Sequence, residues 1–106
     1  MNEPASANDH PTGPDAGPIT RELRIVNEKG LHARASAKFV QTVEKFQADV
    51  QVTRGGETVA GNSIMGLMML SAGPGTSINV EAKGADAEKV MDALVLLVCS
   101  RFGEED

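Results

Sequence analysis

The sequence predicts an α+β fold in which helices cover one face of an antiparallel sheet. Three observations carry that prediction. Four short segments alternate apolar with polar side chains, so each would keep one face for a core and one for water. Two of them are joined by Arg54-Gly55-Gly56-Glu57, where paired glycines supply the positive φ of a tight hairpin. Segments of helical period separate the rest.

The elements follow in order. Leu23 and Ile25 alternate with Glu22, Arg24 and Val26, which reads as a first strand beginning near Ile19. Asn27 to Gly30 reads as a loop. Phe39, Val43 and Phe46 recur at helical spacing from Ala35, with Val40 beside them, which predicts a helix from about Ala33 to Phe46. Ala48, Val50 and Val52 mark the second strand, and Thr58 to Ala60 returns after the hairpin. A short helix from Ser63 to about Ser71 ends at Gly73-Pro74-Gly75. Ile78, Val80 and Ala82 alternate with Ser77, Asn79 and Glu81 as the fourth strand. The last helix runs from about Asp86 to Arg101, with Ala87, Val90, Leu94, Leu97 and Val98 on its inner side. Asp86 and Glu88 in its first turn and Arg101 in its last complement the helix dipole. Cys99 reads as core filler.

Residues 1–18 are different in kind. Pro4, Pro11, Pro14 and Pro18 alternate with small and polar residues, and such a segment cannot bury enough surface to offset its ordering entropy. A disordered arm with no role of its own is expected there, with His10 solvated. The folded domain is expected over 19–103, followed by an acidic tail at 104–106.

Composition excludes several classes. A chain of 106 residues accommodates one domain. Its 15 acidic and 10 basic side chains give a formal charge of −5, against the clustered Lys and Arg of a nucleic-acid binder. With no Trp, no Tyr and 3 Phe, it lacks an aromatic platform for stacking bases. All 10 basic residues lie between Arg21 and Arg101, whereas Glu3, Asp9, Asp15, Glu104, Glu105 and Asp106 lie at the two ends. The middle of the chain is therefore close to neutral. A single cysteine forms neither an intrachain disulfide nor a thiolate metal cluster, and no metal-ligand spacing occurs. No apolar run approaches the roughly 18 residues of a membrane span. Without a basic start followed by an apolar core there is no sign of a signal peptide, so a cytoplasmic location is expected. No paired carboxylates and no nucleophile–base set mark an enzyme of its own.

Two runs carry chemistry. Gly30-Leu31-His32-Ala33-Arg34 lies where a loop enters the first helix. The first N–H groups of a helix lack internal partners and the dipole adds positive charge, which makes an anion site and disfavours an imidazolium. A neutral His32 there can accept a phosphoryl group, with Arg34 and the N–H groups near Ala33 holding the dianion. Gly30 would let the backbone approach closely. Taken alone, the run reads more simply as a surface histidine beside a helix cap. The second run is Ser63-Ile64-Met65-Gly66-Leu67-Met68-Met69-Leu70. Ser63 suits an N-cap, and Leu67 and Leu70 suit the core. Ile64, Met65, Met68 and Met69 would then form either an adaptable docking patch or a surface covered by the rest of the domain.

Together, and in this order, the two runs resemble the histidine-containing phosphocarrier (HPr) family of the bacterial phosphotransferase system. The resemblance covers about Arg21 to Phe102. It implies an open-faced β-sandwich, four antiparallel strands with three helices on one face, in the order β-α-β-β-α-β-α. It implies a stoichiometric carrier rather than an enzyme, monomeric and without a cofactor. Such a carrier takes a phosphoryl group from phosphorylated Enzyme I and passes it to a histidine of an Enzyme II A domain. His32 matches the residue phosphorylated through Nδ1, and Arg34 its electrostatic partner. Ser63 matches the serine that a kinase modifies, and a phosphorylase restores, to regulate the carrier. Ile64, Met65, Met68 and Met69 match the partner-docking surface. Ala35 departs from the proline that many members carry after the arginine. Glu44 beside Lys45, together with Asn62-Ser63 and the acidic ending, points toward a regulatory, nitrogen-related branch over sugar uptake. A binding module that controls target proteins by its phosphorylation state is the alternative.

Overall fold

Alternation along each strand decides which side chains meet the helices. In the computed structural model, which describes residues 17–104, four strands form one antiparallel sheet: β1 (Ile19–Arg24), β2 (Asp49–Arg54), β3 (Glu57–Ala60) and β4 (Ser77–Lys83). Their order across the sheet is β1-β4-β2-β3, so the last strand in sequence is inserted between the first two. Register places Leu23 opposite Ile78, Val50 opposite Ala82, and Val52 between Val80 and Val59. Leu23, Val50, Val52, Ile78, Val80 and Ala82 are all buried. The intervening polar residues take the other face. The Gly55-Gly56 turn has φ of 61° and 82°, the left-handed values that the glycine pair was expected to supply.

Three helices, α1 (Ala33–Val43), α2 (Ile64–Met69) and α3 (Ala87–Cys99), lie on the apolar face. This is the four-stranded open-faced sandwich, in the expected order of elements. Helix α3 packs on β1 and β4, α1 packs against α2 and α3, and α2 rests on β3. Phe39 from α1 and Phe102 beyond α3 are the largest fully buried side chains, each worth about 1.5–3 kcal/mol of apolar burial.

The helix ends differ from the sequence expectation. Helix α1 stops at Val43, with Glu44 as its C-cap. Phe46 lies beyond it in a turn, half-buried against the core, because the turn returns its ring to the face that helical continuation would have used. Helix α3 stops at Cys99, and Arg101 begins a separate 3-10 turn, Arg101–Gly103. Met91 takes the fully buried place on α3, while Leu97 is only partly buried. Cys99 is exposed and is not core filler, since Val98 immediately before it faces inward. Asp86 is the N-cap of α3, but its carboxylate accepts from the Gln47 N–H at 2.8 Å instead of capping the helix. The arm expected over 1–18 falls almost wholly outside the described residues. Among the described residues, no helix is long and apolar enough to cross a membrane.

Candidate functional site

A loop that only glycine permits delivers His32 to the start of α1. Gly30 has φ of 65°, and a Cβ there would lie 2.3 Å from the Ala72 carbonyl oxygen. The next N–H, that of Leu31, donates to the same oxygen at 2.9 Å. Gly30 is thus buried against the segment after α2. Leu31 is buried, and the buried Ser36 hydroxyl donates back to its carbonyl at 3.2 Å. His32 then becomes the N-cap of α1, with φ −76° and ψ −176°. Its side chain makes no capping bond, so the ring is not committed to the helix. The N–H groups of Ala33, Arg34 and Ala35 open the helix without intrahelical partners.

The imidazole is 27% exposed and lies in an open cleft with Glu28, Lys29, Arg34, Lys38, Gly103 and Glu104. Arg34 and Lys38, four apart on α1, and Lys29 from the preceding loop give the cleft a cationic wall. The ammonium of Lys38 donates to the Phe102 carbonyl at 2.6 Å. His32 and Arg34, the pair expected from the sequence, line this one cleft. Lys38 was legible as a second cation one turn beyond Arg34.

Glu104, expected in a separate tail, lies on the histidine. Its Oε2 is 2.5 Å from His32 Nε2, and its Oε1 accepts from Asn27 Nδ2 at 3.0 Å. Asn27 is fully buried, and the same nitrogen donates to the Gly30 carbonyl at 2.9 Å. The chain reaches this position through left-handed φ at three successive residues, 61° at Arg101, 56° at Phe102 and 75° at Gly103. For the two that are not glycine this costs roughly 1–2 kcal/mol each. Burial of Phe102 at about 1.5–3 kcal/mol and the charged Lys38 bond at about 1.5–3 kcal/mol offset that cost. The signal for this reversal was a bulky apolar residue followed by glycine just past a helix end.

The second run forms a separate surface. Ser63 caps α2, its Oγ accepting from the Gly66 N–H at 3.0 Å. A Cβ on Gly66 would lie 3.0 Å from Val59 Cβ, so glycine lets α2 sit close on β3. Leu67 and Leu70 are buried as expected, while Ile64, Met65, Met68 and Met69 are all exposed, Met65 by 73%. Among the described residues, no three His, Cys, Asp or Glu side chains are grouped to hold a metal ion.

Burial acts to raise the Glu104 pKa, but hydrogen bonds from His32 and Asn27, with the charges of His32 and Lys29, hold it below the ordinary carboxylate value of 4.5. A folded-state pKa below the unfolded one stabilises the fold above the unfolded value, and that contribution is lost as pH falls through the folded one. In urea unfolding, the stability advantage of the wild-type chain over Glu104→Gln is therefore expected to shrink as pH falls below about 4.5. An advantage that grows as pH falls below about 4.5 contradicts this contact.

Comparison with known proteins agrees with this architecture. Residues 19–100 match the family model described as the PTS HPr component phosphorylation site. The phosphocarrier protein HPr of Neisseria meningitidis is 49% identical over 86 residues, covering 81% of this chain and 97% of the relative. The phosphocarrier protein NPr of Shewanella violacea is 36% identical over 86 residues, covering 81% and 94%. A crystal structure of HPr-C-His from Thermoanaerobacter tengcongensis superimposes with a TM-score of 0.79 at 41% identity, covering 83% of this chain and 99% of that one. With the family model spanning the whole sheet and all three helices, the chain belongs to the HPr family of phosphocarrier proteins of the phosphotransferase system.

Proposed function

We propose that the chain is a stoichiometric phosphoryl carrier that is phosphorylated on His32 by Enzyme I and passes the group to a histidine of an Enzyme II A domain. The observation that carries this reading is the His32 ring, which makes no capping bond to its own helix and lies part-exposed at the N-terminus of α1 in a cleft walled by Lys29, Arg34 and Lys38. Phosphoryl transfer asks for in-line access and charge stabilisation more than for covalent machinery. An open site provides access to a donor and then to an acceptor. The cations and the first N–H groups of α1 are suited to the dianion. Ile64, Met65, Met68 and Met69 form the docking surface in this reading. Modest interfaces suit a carrier that must release each partner, and the work is done in the cytoplasm.

Ser63 is the regulatory position in this reading. A phosphate there adds negative charge beside the docking residues, while the N-terminus of α2 tolerates it. Partners would be repelled and the fold kept. On the acceptor side, a regulatory, nitrogen-related role rests on Asn62-Ser63 and the acidic ending. Sugar uptake is the second reading, favoured by 49% identity to a relative named HPr against 36% to one named NPr.

Incubation with Enzyme I, magnesium and labelled phosphoenolpyruvate is expected to give acid-labile, base-stable phosphate on the wild-type chain and none on His32→Ala. Label that survives His32→Ala contradicts the assignment. Chasing the labelled chain with sugar-type and nitrogen-type Enzyme II A domains separates the two branches by which one drains the label. Phosphate placed on Ser63 is expected to slow labelling by Enzyme I with the amide spectrum of the fold preserved; unchanged labelling contradicts the regulatory role.

A further inference from the structure

We infer that Met65, Met68 and Met69 form an oxidation switch, in which a peroxide converts these thioethers to sulfoxides and weakens partner docking without unfolding the domain. The inference rests on the carrier reading and on the docking role given there to α2. The chain has 5 methionines, and the fold sorts them by access. Met65, Met69 and Met68 are 73%, 63% and 42% exposed, all on one helix of 6 residues, whereas Met91 on α3 is 1% exposed. Spacings of three and four residues put Met65 beside both Met68 and Met69 on the helix surface. The inward positions of the same segment are Leu67 and Leu70, which carry no sulfur. Among the described residues, methionine sulfur within reach of a dissolved oxidant is therefore gathered on the docking face and absent from the core that supports it.

The step needs only a peroxide. The sulfur lone pair attacks one oxygen of hydrogen peroxide, the O–O bond breaks, and the other oxygen leaves as hydroxide. That hydroxide takes the proton shed by the transferred oxygen, so the products are a sulfoxide and water. Sulfur loses two electrons and the peroxide gains them. An unbranched thioether suits docking because it adapts its shape to an apolar partner. A sulfoxide is polar and chiral, and in an apolar contact its oxygen gives up water with no donor to replace it. In the free carrier the same oxygen stays in water, so the fold bears no such cost. Transfer at His32 uses none of these sulfurs, and oxidation therefore acts on docking rather than on the transfer step. Sulfoxide reductases, one for each epimer, reverse the change: a dithiol becomes a disulfide and the oxygen leaves as water.

The test treats the full chain with hydrogen peroxide and compares each sample with its own untreated form. Cys99→Ser is present throughout, which removes the exposed thiol. Peptide mass spectrometry is expected to find added oxygen on Met65, Met68 and Met69 before Met91, with the amide spectrum of the fold kept. In labelling by phosphorylated Enzyme I, the apparent KM for the carrier should rise about fivefold to a hundredfold, the range for burying a polar group without a partner. Its kcat should stay within about twofold, as for an interaction lost from docking alone. Sulfoxide reductases of both specificities with a dithiol should restore the untreated KM. A chain that also carries Met65→Leu, Met68→Leu and Met69→Leu should keep its own untreated KM after peroxide. Oxidation of Met91 as fast as Met65 overturns the inference, as does a triple variant that loses as much as its parent. Untreated protein that takes no label contradicts the carrier reading and the switch with it, whereas normal labelling that three sulfoxides leave unchanged contradicts only the switch.

Discussion

The placement of His32 depends on one close approach of backbone to backbone, Gly30 against the carbonyl of Ala72. A side chain at residue 30 would collide with that oxygen at 2.3 Å, and the left-handed φ of 65° is costly for any residue with a Cβ. Because Gly30 fits, the Leu31 N–H reaches the same oxygen and Leu31 enters the core. The chain then turns into α1 with His32 at the cap. The loop after α2 and the loop before α1 are thereby locked together. That contact links the histidine cleft to the segment following the Met-rich surface.

Around this seat the domain divides its labour. The sheet and the inner faces of α1 and α3 supply burial, through Phe39, Val80, Val90, Leu94 and their neighbours. The cleft carries charge, and the exposed face of α2 carries adaptable apolar area. Lys29, Arg34 and Lys38 concentrate positive charge near a ring that the helix does not use for its own capping. The Glu104 carboxylate is hydrogen-bonded to that ring, and it arrives by a strained chain reversal anchored in the core. Strain held by packing next to a reactive group is a common mark of function.

Much of this was legible in the residues. Alternation located the strands, the glycine pair located the hairpin, and Leu67 and Leu70 were separable from the exposed methionines by their three-residue spacing. His32 and Arg34 stood out because a helix N-terminus gives anion chemistry a physical basis. The helix ends were less legible: Phe46 keeps the helical period yet belongs to a turn, since tertiary packing and not periodicity fixes where its ring goes. Cys99 shows the same limit, as one residue's rotation on α3 separates the buried Val98 from the exposed thiol. Glu104 was hidden for another reason. Its contacts with His32 and Asn27 span 72 and 77 residues of chain, and local composition there signals only an acidic end.

The central claim is that a phosphoryl group rides on Nδ1 of His32. Locating phosphorus directly in the 15N-labelled, Enzyme I-charged protein by 31P–15N correlation tests it. A single coupling to Nδ1 of His32, with hydrogen retained on Nε2, is the result expected. Phosphorus coupled to Nε2, or carried by any residue other than His32, would contradict it.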